Sequence, residues 1–221
     1  REATYEFDRM MKRINRHLTQ RSEMLSGISH DLRTPLTRLK LQLAMLNKKE
    51  TAVKMAEDID EMEKMLNDYL QYAKSQVEEK SIYFNLSEMV SNLLKKYEPN
   101  KYEFNIKENY KINGRENLIR RCIQNIFENG MTYGNKIFVD IKKTVNSLII
   151  TVEDNGPGIP KNEYVNVFRP FYRVDKSRGL NKSGVGLGLS VAQDIAKSHG
   201  GGIALSESKH KGLMVKISLP F

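Results

Sequence analysis

The stretch Ser183–Gly200 reads SGVGLGLSVAQDIAKSHG: three glycines at alternate positions run straight into a helical pattern closed by another glycine. Backbone amides bared by Gly184, Gly186 and Gly188, together with a helix N-terminus, suit phosphate groups. Two common phosphate folds are excluded. No Lys-Ser/Thr pair follows the glycines, so this is not a Walker loop. No acidic residue follows a strand–glycine turn–helix unit at the distance a dinucleotide fold requires.

Working outward, a second glycine turn, DNGPGIP (Asp154–Pro160), ends the apolar run SLIITVEDN. Asp154, at the end of a strand, is placed to accept a hydrogen bond from an exocyclic amine. Upstream, Asn125 and Asn129 stand four residues apart on one helix face that also carries Tyr133. Their neutral amide oxygens are suitable hard ligands for Mg²⁺, which keeps waters and nucleotide phosphates in its shell.

These motifs sit in a mixed α/β pattern. SIYFNL, YEFNIKE, KIFVDIKK, SLIITVEDN, GGIALSES and LMVKISLPF read as strands. SEMVSNLLKKY reads as a helix with Ser87 as its N-cap, and GRENLIRRCIQNIFENGMTYG as a helix ending at Gly134. Ahead of the polar linker KSQVEEKS (Lys74–Ser81), the pattern is helical from about Thr4 to Val77 with one break, LNKKET. Leu25, Ile28, Leu32, Leu36, Leu39, Leu43 and Leu46 recur at steps of three and four. Ala52, Ala56, Ile59, Met62, Leu66, Leu70, Ala73 and Val77 repeat the stripe on a return arm. Two such arms make an antiparallel hairpin, and pairing of two hairpins into a four-helix bundle covers both stripes.

On the first arm, SGISHDLRTPLTRLKLQL (Ser26–Leu43) sets His30 beside Asp31 and places Pro35 one turn later. With each residue advancing about 100°, His30 lies roughly 140° from Leu25, off the seam. Pro35 cannot donate to the Asp31 carbonyl and clashes with it, so the helix is bent or loosened beside the imidazole. Thr34 lies about 40° round the cylinder from His30 and can share its site. His17, His199 and His210 read as ordinary surface histidines.

The bulk numbers bound the rest. The chain has 221 residues, 39% apolar and 29% charged, with a net charge of +9 and one cysteine, Cys122. An intramolecular disulfide is impossible, and no DNA-binding pattern organises the scattered lysines, so no nucleic-acid partner is expected. No apolar run approaches the roughly 20 residues that span a bilayer, so this stretch is expected to make no direct membrane contact. The opening REATYEFDRMMKRINRHL reads as if cut from something longer.

Five motifs in order carry a resemblance. SHDLRTPLTRL resembles the H-box of sensor histidine kinases, QNIFENGMTYG the N-box, DNGPGIP the G1-box, FRPFYRVD the F-box and GVGLGL the G2-box. The H-box and F-box wording is closest to the EnvZ-like osmosensor kinases. The opening EFDRMMKRI is similar to the tail of a HAMP signalling helix. The resemblance implies an α+β multidomain chain. Residues 1–21 would be the signalling-helix tail and 22–78 a dimerisation and histidine phosphotransfer (DHp) domain forming a homodimeric four-helix bundle. Residues 79–221 would be a GHKL-type α/β sandwich that binds ATP with Mg²⁺.

It further implies roles for residues. His30 would attack the γ-phosphate of ATP, Asp31 would orient or deprotonate it, and Thr34 would position water for the reverse, phosphatase, activity. Asn129 with Asn125 would hold Mg²⁺, Asp154 would read the adenine amine, and Gly156 and Gly158 would shape that pocket. Tyr133 would lie against the base. Phe168 and Phe171 would anchor the ATP lid, Arg173 would lie near the phosphates, and Gly184, Gly186 and Gly188 would line them. The phosphoryl group would pass to an aspartate on the receiver domain of a response regulator. The module would be the cytoplasmic portion of a bacterial inner-membrane sensor whose other segments lie upstream of Arg1. One departure stands out: where the family usually has Lys or Arg two residues after the N-box Ala/Gly, here Gly130, this chain has Thr132, for which Arg173 or Lys176 would partly compensate. Two other readings stay open, a GHKL ATPase working as a conformational clamp and a kinase-like scaffold without catalysis.

Overall fold

A computed structural model describes residues 35–43, 53, 55–56, 59–60, 62–63, 79–105, 108–174 and 186–221. The chain divides into two compact units, Arg1–Glu79 and Lys80–Phe221. His30, Asp31 and Thr34 lie outside the described residues, as do Gly184, Lys176 and the backbone that Pro35 was expected to bend. Among the described residues, no helix is long and apolar enough to cross a membrane.

In the first unit, residues 35–43 are helical, as are the described positions between 53 and 63. Lys40 bridges the two stretches: its ammonium pairs with Asp60 and lies 3.4 Å from Glu63. Contact between positions 20 and 23 residues apart is what a hairpin returning on itself requires. Leu43 and Ile59 of the two stripes are buried, whereas Leu39 and Met62 of the same stripes are 48% and 50% exposed.

The second unit is an α/β sandwich. A five-stranded sheet has the order β2–β4–β5–β7–β6, from β2 (Tyr102–Asn105), β4 (Ile137–Lys143), β5 (Ser147–Asp154), β6 (Gly202–Glu207) and β7 (Leu213–Pro220). The β2–β4 pair is parallel and the others antiparallel. Strict alternation drives one face inward: Ile137, Val139 and Ile141 of β4, Leu148, Ile150 and Val152 of β5, Val215, Ile217 and Leu219 of β7. Helix α2 (Glu116–Tyr133) meets that face with Leu118, Ile119, Cys122, Ile123, Ile126 and Phe127, and α3 (Gly188–Ser198) with Val191, Ala192, Ile195 and Ala196. Each large aliphatic side chain so buried contributes about 1.5–3 kcal/mol. Burial of Cys122 among them pushes its thiol up to about 12, which makes it a packing residue and not a nucleophile.

A strand absent from the sequence reading, β3 (Lys111–Gly114), pairs antiparallel with β1 (Ile82–Asn85) as a separate two-stranded sheet. Between them runs α1 (Leu86–Leu94), and its cap corrects the expectation. Asn85, not Ser87, is the N-cap and accepts from the Glu88 N–H at 3.2 Å. Ser87 is instead buried inside the helix, donating to the Glu108 carbonyl and accepting from the Tyr110 N–H, both at 3.0 Å. The hydroxyl thus serves a loop far away in sequence, and the amide one residue outside the helix takes the capping role.

Two histidines read as ordinary surface residues are structural. His210 stacks on Phe138 with centroids 3.5 Å apart. His199 Nδ1 lies 2.8 Å from the Ile195 carbonyl, which fixes the proton there, so Nε2 accepts from the Arg115 N–H at 3.1 Å. Arg115 is the N-cap of α2 and His199 the C-cap of α3, so one imidazole joins the start of one helix to the end of the other. His199→Ala should therefore lower the thermal midpoint, by the equivalent of about 1–3 kcal/mol for an orphaned backbone donor. His199→Gln, which keeps an acceptor at similar reach, should recover part of it; an unchanged midpoint for the alanine variant would refute the linkage.

Candidate functional site

Four elements converge at the C-terminal end of β5: the second half of α2, the start of α3, the Asp154–Pro160 loop and the β6–β7 turn. Gly130 makes the approach of α2 possible, because a Cβ there would sit 2.6 Å from an Ile137 methyl. The approach leaves Asn125 and Asn129 facing α3. Asn125 Nδ2 donates to the Gly188 carbonyl at 3.3 Å, and the Asn129 amide lies 3.4–3.6 Å from where a Gly188 Cβ would stand. The asparagine pair and the head of α3 thus form one wall.

Helix α3 starts without a side-chain cap. The Ser190 hydroxyl turns back to the Leu187 carbonyl at 2.9 Å, so it does not compete for the leading amides. Such a start attracts anions. Gly186, with φ +76, precedes it and accepts from the Phe171 N–H at 3.0 Å; a Cβ at Gly186 would press to 2.8 Å from the Tyr172 carbonyl. Phe171 and Gly186, 15 positions apart, are therefore joined directly. Arg173 is half-buried in this neighbourhood, Phe168 is half-buried and Phe171 is exposed. Tyr172 donates to Glu163 at 2.6 Å, and that carboxylate raises the phenol's pKa.

On the opposite side, Asp154 is 8% exposed. Its Oδ1 accepts from Gly156 N–H at 2.8 Å and from Leu213 N–H at 3.2 Å. The neighbouring Asn155 closes the α2–β4 corner, its Oδ1 taking the Asn135 and Lys136 amides at 2.8 and 3.0 Å. A Cβ on Gly156 would come within 2.7 Å of the Tyr133 carbonyl, so the loop lies against the end of α2, while the Tyr133 side chain is 40% exposed. Gly158, at φ +72, faces the Gly212 carbonyl. Thr132 spends its hydroxyl on the Glu128 carbonyl at 2.7 Å.

The structure thus gathers Asn125, Asn129, Tyr133, Asp154, Gly156, Gly158, Gly186 and Gly188 about one end of the sheet. Residues of the same neighbourhood that the sequence reading did not assign are Asn155, Gly212 and Leu213. Asn155 was legible in principle as an Asx former after a strand. The contribution of Leu213 is a backbone amide, which no side-chain motif reveals.

Two family models match: "His Kinase A (phospho-acceptor) domain" over residues 20–78, and "Histidine kinase-, DNA gyrase B-, and HSP90-like ATPase" over 114–221. Sensor histidine kinase GtrS of Pseudomonas aeruginosa is 32% identical over 99% of this chain and 46% of its own length. Sensor histidine kinase CpxA of Escherichia coli is 30% identical over 97% of this chain and 50% of its own. The chain therefore spans about half the length of these relatives. Among solved structures, full-length ShkA in complex with AMPPNP shares the fold with TM-score 0.71 at 18% identity, covering 90% of this chain and 46% of that one. The Acinetobacter baumannii histidine kinase AdeS does so with TM-score 0.61 at 22% identity, covering 86% and 97%.

The electrostatics of Asp154 give a test. Burial raises its carboxyl above the ordinary value, against the lowering by the Gly156 and Leu213 amides. A raised folded-state pKa contributes stability that is fully present below the unfolded value and is lost as pH rises through the folded one. Asp154→Asn, neutral throughout, should therefore gain stability relative to the parent as pH climbs out of the ordinary carboxylate range toward neutrality. Urea midpoints of both proteins across that range measure this, and a difference that shrinks with rising pH would contradict it.

Proposed function

The chain belongs to the sensor histidine kinases, carrying their phospho-acceptor and ATP-binding domains in tandem, and on that premise we propose that it phosphorylates itself on His30 and passes the phosphoryl group to an aspartate of a response regulator. The observation that carries this reading is the convergence of the asparagine wall, the uncapped head of α3 and the buried Asp154 at one end of the sheet, in a chain whose other unit contains the SHDLRTP motif.

ATP is the substrate. Asp154 accepts from the adenine amine with the oxygen not engaged by Gly156 and Leu213. Tyr133 lies against the base. The leading amides of α3, with Gly184, Gly186 and Gly188, receive the phosphates, and Arg173 supplies positive charge that Thr132 does not. The donors fit Mg²⁺: Asn125 gives only its Nδ2 to Gly188, which leaves an amide oxygen, and Asn129 presents its amide on the same wall. Among the described residues no cluster of three His, Cys, Asp or Glu competes as a metal site. When bound, the ion would neutralise charge developing on the transferred and leaving phosphates.

His30 is the nucleophile. Its ring nitrogen forms the P–N bond as the bond between the γ-phosphorus and the β–γ bridging oxygen breaks, ADP leaves, and the imidazole proton passes to Asp31. Thr34 positions water for the reverse, phosphatase, reaction. Loosening at Pro35 gives the first arm a deformable point through which strain controls access to His30. The chain works as a homodimer, since the stripe residues Leu39 and Met62 stay half-exposed in one hairpin. It sits on the cytoplasmic side of a bacterial inner membrane.

With γ-labelled ATP the parent protein should acquire acid-labile, alkali-stable label. His30→Ala should acquire none while keeping its nucleotide affinity; free phosphate without labelled protein would instead mean a clamp-type ATPase. Asn129→Ala should lower Mg²⁺-dependent ATP affinity by about tenfold or more, ~1.4 kcal/mol, and normal affinity would remove it from the metal wall. Thr34→Arg should suppress dephosphorylation of the regulator and spare self-labelling; equal loss of both would merge the two roles.

A further inference from the structure

Glu153 and Asp154 are consecutive on β5, so their side chains point to opposite faces of the sheet. Both are buried, at 6% and 8% exposure, and one turn, 208–212 between β6 and β7, serves them both. On Glu153 the turn places the Ser208 hydroxyl at 3.0 Å and the Lys209 N–H at 3.1 Å, both on Oε2. On Asp154 it places the Leu213 N–H. Ser208 is itself 7% exposed and is the organiser of the turn. Its hydroxyl accepts from the His210 N–H at 3.0 Å, its N–H donates to the Gly212 carbonyl at 2.9 Å, and its carbonyl accepts from Lys211 at 3.1 Å. The fit is tight: a Cβ on Gly212 would fall 2.1 Å from Asp154 Oδ1.

We infer that Glu153 and Ser208 are positioning residues for base recognition: they fix the height of the 208–212 turn, and the turn fixes the rotation of the Asp154 carboxylate. The inference rests on the reading above that Asp154 accepts from adenine. A buried carboxylate with hydrogen-bond donors on one oxygen has its second oxygen aimed by them. If the turn shifts, the Leu213 amide moves off Oδ1 and the carboxylate swings. Adenine, which offers an amine donor at this edge, then loses its advantage over guanine, which offers a carbonyl acceptor there. The Ser208–Glu153 bond lies on the face of the strand away from the Asp154 side chain and touches no nucleotide, so it acts on selectivity through the turn alone.

The test measures binding of ATP and GTP with Mg²⁺, together with the rate of self-labelling at saturating ATP, in the whole chain. Ser208→Ala should weaken ATP about five- to tenfold, lower the ATP-to-GTP affinity ratio by a similar factor, and leave the saturated labelling rate within about twofold of the parent. Ser208→Thr, which retains the hydroxyl, should restore the ratio. Should Ser208→Ala not fold, Glu153→Gln carries the same comparison with a smaller expected shift in the same direction. An unchanged ratio in Ser208→Ala, or an equal loss of ATP and GTP binding, overturns the inference when Asp154→Ala does collapse the ratio. If Asp154→Ala leaves the ratio unchanged, its base-reading role falls and this inference falls with it.

Discussion

A carboxylate held out of water at the end of a central strand sets the terms for the ATP-binding unit. Asp154 is buried, and burial penalises its charged form. Two backbone amides offset part of that penalty, and both must come close to reach it. Gly156 puts one amide in place by turning the chain under the end of α2, where a side chain would strike the Tyr133 carbonyl. Gly212 lets the β6–β7 turn lie directly on Asp154. Gly130 lets α2 sink far enough that its asparagines meet α3. Relaxing any one approach would open the carboxylate to water and separate the walls of the site. The glycines are therefore distributed by the needs of one acidic group as much as by those of a phosphate.

The helical unit answers a different constraint. A single hairpin with an apolar stripe on each arm leaves part of both stripes uncovered; Leu43 and Ile59 find cover while Leu39 and Met62 do not. The bridge from Lys40 to Asp60 and Glu63 fixes the arms in register but, between partly exposed groups, adds little stability. Further apolar contact would then stabilise this unit, and the proposed pairing of two hairpins would supply it.

Legibility in the sequence followed the length of the hydrophobic pattern. β4, β5 and β7, at seven or eight residues each, alternate cleanly and were readable, as was the 18-residue α2 with its glycine stop. β3 was not, because four residues with Ile112 as the one large buried side chain give no period to detect, and its partner β1 lies some 30 positions away in sequence. Asn85 and Ser87 compete as caps on paper with nearly equal propensity. What decides between them is the distant 108–110 segment, which claims the serine. His199 and His210 misread for the same reason: an imidazole's partners, here Arg115 and Phe138, are 84 and 72 positions away. The side-chain motifs of the site were visible as spacing, whereas the amide of Leu213 and the turn beneath it appear only once β6 and β7 are paired across β5's end.

The site is also graded in charge from end to end, and the grading suits a nucleotide. The Asp154 end carries a buried acidic group and, among the described residues, no cation in hydrogen-bond contact with it. The wall between α2 and α3 is neutral, built from amides and carbonyl groups. The far end offers the uncapped amides of α3, with the partial positive charge of a helix start. A polyanion tethered to a neutral amine donor can lie in this gradient in one direction only, with phosphates at the helix and the donor at Asp154. On the proposed reading, orientation would thus be set by fixed backbone groups and a single carboxylate before any cation contributes. Thr132, uncharged and with its hydroxyl turned back to its own helix, leaves both ends of this gradient as they are. On the proposed reading, an uncharged residue there would change how strongly phosphates are neutralised, not how the nucleotide lies.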